Sequence, residues 1–146
     1  MRVEGSYRFP AGQETVFKLL LDPDALRSCI PGCERLEAIG EDHYEATMKV
    51  GVAAVRGTYK GEVRIEEKNA PSSYRMSVQG RGGPGFVKGV AAITVRPIGA
   101  EECDVVVVGD GQIGGLIAGV AQRLMGGVAN MMMNQFFDCL RKQLGS

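Results

Sequence analysis

The fold is decided by residues 113–144, IGGLIAGVAQRLMGGVANMMMNQFFDCLRKQL. Apolar side chains recur there at steps of three and four residues, which is typical of a helix face that packs against a core. Such a helix extends roughly 45 Å at 1.5 Å per residue, enough to cross a small sheet. Gly119, Gly126 and Gly127 interrupt it, each costing up to about 1 kcal/mol of helix propensity. This indicates close packing or an empty space beside the helix, and we favour an apolar cavity.

Before this helix the sequence indicates seven strands and two short helices. Alternating apolar residues place the first strand at 1–9, and short apolar stripes place helices at 13–21 and 23–29. Six further strands are predicted at 33–39, 43–50, 54–66, 73–80, 86–96 and 103–109. Short connections favour an antiparallel meander of hairpins. We predict a single α+β domain over residues 1–146, in which a curved seven-stranded antiparallel sheet wraps around the long C-terminal helix.

Glycines recur on the sheet face that is predicted to point inward. Gly57, Gly61, Gly89 and Gly111 share the parity of the apolar residues in their strands, and such glycines mark bends, bulges or the close approach of another group. Sheet curvature and a ligand-sized void both explain them. The methionine-rich helix face favours an adaptable ligand surface. The predicted lining residues are Tyr59, Gly61, Met76, Phe86, Gly89, Ile117, Leu124, Val128, Met132 and Phe136. Leucine at Gly61 or Gly89 is expected to abolish ligand uptake and leave the fold intact.

Composition bears on the class of function. Lys and Arg number 17, as do Asp and Glu, so charge gives no support for a nucleic-acid partner. The 4 cysteines lack the two close pairs of a zinc site and are expected as thiols in a reducing compartment. Residues 124–137 carry no charge but are short for a membrane span and contain polar amides. We predict a cytoplasmic protein without a metal site, with peripheral contact at the inner face of the cell membrane as an open alternative.

Two glycine motifs match the spacing of nucleotide-binding loops but lack their context. GRGGPG at 80–85 is followed by a strand, and GDGQIG at 109–114 precedes the last helix, so no second parallel strand completes a dinucleotide-binding unit. We interpret the second run as a tight strand-to-helix corner. His43 is expected in an exposed turn. Asp110 and Arg123 either stabilise the fold or orient the polar head of a ligand.

Several short segments, taken in order, resemble one protein family. They are DPDAL (22–26), CIPGCE (29–34), GTYKG (57–61), GGPGFVKG (82–89), GQIGG (111–115), QRL (122–124) and FF (136–137). Together they resemble the CoxG-like family, the G subunit of carbon monoxide dehydrogenase, within the START-like (SRPBCC) helix-grip superfamily. The resemblance runs from Met1 to about Leu140 and covers nearly the whole chain.

The resemblance implies a helix-grip fold with a lipophilic pocket between sheet and helix. It implies a non-catalytic accessory protein, since CoxG does not hold the molybdenum, flavin or iron–sulfur centres. The implied partner is a molybdenum-containing carbon monoxide dehydrogenase or related hydroxylase, served through membrane recruitment, electron transfer or maturation. A quinone-carrying role put forward for the family makes a lipid or isoprenoid quinone the expected ligand. Many members have an extended C-terminal tail; this chain departs from them by stopping at Ser146, so tail-dependent anchoring is not implied.

Two other functions stay open. The superfamily scaffold also supports cyclase- or hydratase-type enzymes, which need an acid or base inside the cavity. Among the inward-facing residues only Tyr7, Tyr59 and Tyr74 are ionisable candidates, and an inward Asp, Glu or His would favour the enzyme. The other function is a pure interaction module, whose loops at 29–34 and 81–88 dock onto a protein partner.

Overall fold

The structure is a two-layer α+β fold. The computed structural model describes residues 2–51, 56–82, 85–115 and 118–145, and for residues 118–125 and 145 only the backbone. Within these ranges the strands are β1 Arg2–Phe9, β2 Cys33–Gly40, β3 His43–Val50, β4 Gly57–Asn69, β5 Ser73–Gly82, β6 Gly85–Gly99 and β7 Glu102–Gly114. The helices are α1 Gln13–Leu20, α2 Pro23–Cys29 and α3 Ala118–Gly145.

The strands form one antiparallel sheet, in the order β1-β7-β6-β5-β4-β3-β2. Among the described strands, only the β1–β7 pair joins strands that are distant in sequence, so the rest is a meander of hairpins, as predicted. The two short helices follow β1, and Asp22 caps α2 by accepting a hydrogen bond from the backbone N–H of Asp24 at 3.0 Å. The predicted fold class is confirmed. The predicted β4 start at residue 54 lies outside the described residues.

The last helix begins later than the apolar pattern predicted. Ile113 belongs to β7 and pairs with Val87 of β6, so the prediction that the helix starts at residue 113 is wrong. The backbone ladder with β6 satisfies the main-chain groups of this segment, and glycine takes part in a ladder without any side chain. The chain turns at Gly115, whose φ of 86° glycine adopts without strain. The glycine run at 109–114 is therefore strand, not the predicted corner.

The hydrophobic core lies at one end of the sheet, beneath α1, α2 and the C-terminal part of α3. The largest fully buried side chains are those of Phe9, Val16, Val95, Cys103, Val105 and Leu140. Phe137 anchors α3 there: its ring stacks on Tyr7 with centroids 4.1 Å apart and meets Phe9 edge-on at 6.1 Å. Burial of one such side chain stabilises the fold by roughly 1.5–3 kcal/mol.

A disulfide bond between Cys29 and Cys139 joins α2 to α3. The two Cα atoms lie 5.4 Å apart, and Gln143 donates a hydrogen bond to Cys29 Sγ at 3.3 Å. The prediction of four reduced thiols is wrong for this pair, because a separation of 110 residues gives no sign of proximity in the sequence. Cys33 and Cys103 are free, and burial raises the pKa of both thiols.

Asp104 is nearly buried on the outer face of β7, between two arginines. Arg8 donates two hydrogen bonds to the carboxylate of Asp104. Nη2 of Arg96 lies 3.8 Å from Asp104 Oδ2. The hydrogen bond from Arg8 is the main cause that holds the pKa of Asp104 below its usual value.

This cluster predicts part of the acid sensitivity of the fold. Because the pKa of Asp104 is lower in the folded than in the unfolded chain, the cluster stabilises the fold above about pH 4 and loses that effect as the pH falls through the folded pKa. Urea unfolding from about pH 5 to about pH 2.5 should therefore show a smaller loss of stability for Arg8→Met than for wild type. Arg2→Met, which removes an exposed ion pair with Glu4, is the control. An equal acid-induced loss in all three proteins would contradict this assignment.

Candidate ligand site

The burial of the inward-facing residues of the sheet decreases from the core end towards the opposite end. At the core end its side chains, such as Ile93, Val95 and Val105, are buried. Further along, the inward positions of β4, β5 and β6 are apolar or glycine but only half-buried. We call this region the open inner surface, and define it as Gly61, Val63, Val78, Gly80, Val87 and Gly89.

Strand pairing arranges the open inner surface in cross-strand rows. One row runs from Gly61 through Gly80 to Val87. The next runs from Val63 through Val78 to Gly89. Each row contains glycine, so side-chain volume is missing from the middle of the sheet. A small-residue surface of this kind leaves room for an apolar molecule.

Three glycines of this surface differ in the space in front of them. A Cβ built on Gly80 meets no described atom within 4 Å. A Cβ on Gly61 would lie 2.7 Å from the carbonyl oxygen of Gln79, and one on Gly89 would lie 3.1 Å from that of Asp110. The expectation that leucine at Gly61 leaves the fold intact is therefore wrong, because the backbone of β5 would have to move. Gly80, which the sequence analysis did not select as a lining residue, has no described atom in this space.

Several predicted lining residues lie on or beside this surface. Met76 is inward and half-buried, and Tyr59 is buried, with its ring so close to Gly82 that a Cβ there would lie 2.9 Å from ring atom Cδ1. On α3, Val128, Met132 and Phe136 recur at four-residue steps and are half-buried. They therefore share one helix face.

Two further residues of the predicted lining lie beyond what the structure describes. Ile117 is outside the described residues, and only the backbone of Leu124 is described. Of Arg123, too, only the backbone is described. Their roles stay predictions.

Phe86 lies on the opposite side of the sheet from the other predicted residues. It pairs with Arg81 and Gly114, its side chain is 41% exposed, and its neighbour Val87 holds the inward position. Successive strand residues point to opposite faces, so Phe86 and Val87 cannot both face inward. The prediction that Phe86 lines the inner cavity is wrong.

A polar pair that sequence reasoning missed lies on the inner side of β1. Tyr7 Oη donates a hydrogen bond to Asn134 Oδ1 of α3 at 2.8 Å. The ring of Tyr7 leans over Gly5, where a Cβ would lie 2.8 Å from ring atom Cε2. Burial raises the pKa of Tyr7, so the hydroxyl stays protonated at neutral pH. No local pattern predicts this pair, because 127 residues separate its members.

The candidate acids or bases on the described inner face of β1 and β3–β7 are tyrosines, such as Tyr7, Tyr59 and Tyr74. On β1 and β3–β7, no buried or half-buried inward position holds Asp, Glu or His. Asp110 is exposed on the outer face, so it does not orient a ligand at the inner surface. His43 also faces outward and is half-buried, with Nε2 3.4 Å from Glu62 Oε2. In the part of the chain that is described, no group of three residues could hold a metal ion.

Residues 5–145, almost the whole chain, match the family model for the G subunit of carbon monoxide dehydrogenase (CoxG). The chain belongs to this family. Its structure is similar to that of a conserved protein from Geobacillus kaustophilus, with 36% sequence identity and a TM-score of 0.95. That similarity covers 99% of this chain and 95% of the other. The predicted CoxG membership is confirmed.

More distant structures share the fold of this CoxG family member. A START superfamily protein from Mycobacterium smegmatis is 11% identical, covers 97% of this chain and 95% of its own, and has a TM-score of 0.75. The Zhui aromatase/cyclase from Streptomyces sp. R1128 is 14% identical, covers 98% and 92%, and has a TM-score of 0.73. These similarities confirm the START-like helix-grip fold. Comparison with the curated proteins found no match.

The described helices of this CoxG family member do not meet the requirements of a membrane-spanning segment. Among the described residues, none of them combines the length and the hydropathy of a membrane-spanning segment.

Proposed function

We propose that this protein is a non-catalytic carrier that holds a hydrophobic small molecule, a lipid or an isoprenoid quinone, between the open inner surface and α3. The supporting observation is that half-buried valines and glycines continue the inner face beyond the buried core, and that a Cβ at Gly80 meets no described atom within 4 Å. Apolar burial contributes about 25 cal/mol per Å², so a prenyl chain needs no charged clamp. In this proposal Ile117, Leu124 and the α3 face at Val128 complete the lining.

The polar end of such a ligand has a candidate partner. The Tyr7–Asn134 pair presents a hydroxyl and an amide at the border of the core, and a few placed polar groups in an apolar site fix the orientation of a ligand. A quinone carbonyl is an acceptor, and the NH₂ group of Asn134 can donate to it because the bond from Tyr7 uses only the amide oxygen. We therefore propose that the head group lies towards β1 and the chain towards the other end of the sheet.

Family membership supports the choice of partner. We propose that the carrier serves a molybdenum-containing carbon monoxide dehydrogenase or a related hydroxylase, through membrane recruitment, electron transfer or maturation. A cytoplasmic location, with peripheral contact at the inner face of the cell membrane, suits the exchange of a lipophilic ligand. The enzyme alternative has less support, since similarity to a cyclase of 14% identity concerns the fold.

Mass spectrometry of organic extracts tests the carrier proposal. Protein purified without detergent is expected to release one class of lipophilic compound in an amount comparable to that of the protein. Protein stripped of this compound should take up added menaquinone-4 and then elute with it in size-exclusion chromatography. Empty extracts together with no uptake of menaquinone-4 or of a phospholipid would contradict the proposal.

A further inference from the structure

A groove of about 480 Å³ lies against the outward-facing side chains of the sheet, and its lining also includes Gly61, Gly80 and Val87 of the open inner surface. We call it the outer groove. The outward-facing residues that line it are Glu45, Lys60, Glu62, Gln79, Arg81, Phe86 and Lys88. It lies across β3, β4, β5 and β6, and the proposed carrier function does not use these outward-facing side chains.

Three cations of the outer groove lie close together on neighbouring strands without a carboxylate at ion-pair distance among the described residues. Lys60 lies directly opposite Arg81, and like charges in that position destabilise a strand pair. Among the described residues, no carboxylate oxygen lies within 4 Å of the side-chain nitrogens of Lys60, Arg81 or Lys88. The nearby Glu62 interacts with His43 instead. The repulsion is relieved when an anionic group binds between these cations.

Phe86 adds a rigid apolar surface to this cluster. Its ring lies against Gly114, so closely that a Cβ there would overlap ring atoms. One face of the ring is thereby fixed on β7, and the side chain is still 41% exposed. Along the same outer face, Val90 and Val108 are exposed at 48% and 39%. An apolar area beside cations is the composition of a protein–protein contact.

We propose that the outer groove binds an acidic segment of a partner protein, whose carboxylates meet Lys60, Arg81 and Lys88 and whose apolar side chain packs on Phe86. The groove is concave, and its two carboxylates, at Glu45 and Glu62, repel a uniformly anionic surface. Both features favour a segment with separated charges over a flat anionic bilayer. The proposal does not depend on the molecule that the inner surface holds.

Fluorescence anisotropy with a labelled glutamate-rich peptide that contains one phenylalanine tests this proposal. Lys60→Glu/Arg81→Glu should weaken binding about tenfold or more at low ionic strength. Arg64→Glu/Lys18→Glu makes the same charge change at exposed positions, one of them on β4 itself, and should change the affinity less than about twofold. Circular dichroism checks the fold of each variant, and Lys60→Gln/Arg81→Gln replaces any that unfolds.

A second comparison isolates the role of the aromatic ring. Phe86→Ser should weaken binding of the phenylalanine-containing peptide about tenfold and leave that of a serine-containing peptide unchanged. Absence of saturable peptide binding would overturn the proposal, as would equal losses in the groove and control variants. The proposal would also be overturned if binding to phosphatidylglycerol vesicles depended on Lys60 and Arg81 while peptide binding did not. The groove would then bind a membrane. Ligand content measured by extraction should be unchanged in every groove variant, which separates this test from that of the carrier.

Discussion

Leucine in place of Gly80 is expected to abolish uptake of the hydrophobic ligand while the protein stays folded. Gly80 lies in the middle of the open inner surface, between Gly61 and Val87, and the space in front of it holds no described atom within 4 Å. A leucine side chain would occupy that space. The backbone has no positive φ at this position, and glycine inside a strand weakens it, so the substitution should not lower the free energy of unfolding.

The measurement is a titration of stripped protein with menaquinone-4, alongside urea unfolding of the same samples. Affinity should fall by about a hundredfold or more, since an overpacked site forfeits its apolar contacts. Gly99→Leu is the matched control, because a Cβ at Gly99 also meets no described atom within 4 Å and this exposed residue ends β6 away from the open inner surface. Wild-type affinity in folded Gly80→Leu, or a loss of the same size in Gly99→Leu, would refute the ligand site.

Replacing Cys29 and Cys139 together by serine is expected to lower the free energy of unfolding by about 4 kcal/mol. The disulfide spans 110 residues, and in the chain-entropy account a long loop loses the most freedom in the unfolded chain when it is closed. The bond also ties α3 to α2 beside the core. In a reducing compartment the wild-type protein should show the same loss, because the pair is then a dithiol.

Urea unfolding without reductant measures this effect, and Cys33→Ser is the control, since Cys33 is free and only half-buried. The control should change stability by less than about 0.5 kcal/mol. Alkylation of the unfolded wild-type protein by iodoacetamide counts the thiols directly. Reaction at Cys29 and Cys139 without reductant, or wild-type stability of the double serine variant, would contradict the bond.

Much of the fold could be predicted because its signals are local. The two-residue alternation that places Tyr59, Gly61, Met76 and Gly89 on one face is a property of any extended strand, and the strand pairing agrees with it. The same alternation excludes Phe86 from that face, so this error was avoidable from the sequence. The error in the predicted start of α3 could not be avoided in this way, because the sequence of residues 113–117 fits a helical spacing and a strand pattern equally well.

Local periodicity thus determined the order of the elements and the inner face of the sheet, and short ordered motifs indicated the family to which the chain belongs. The Cys29–Cys139 bond, the Tyr7–Asn134 hydrogen bond and the cluster of cations around Lys60 were decided by tertiary structure alone. The disulfide bond and the hydrogen bond join segments whose distance depends on how the strands between them pair and curve, whereas the cation cluster depends on the register of the neighbouring strands β4, β5 and β6. Such distances depend on the whole network of pairings, and no short stretch of sequence encodes them.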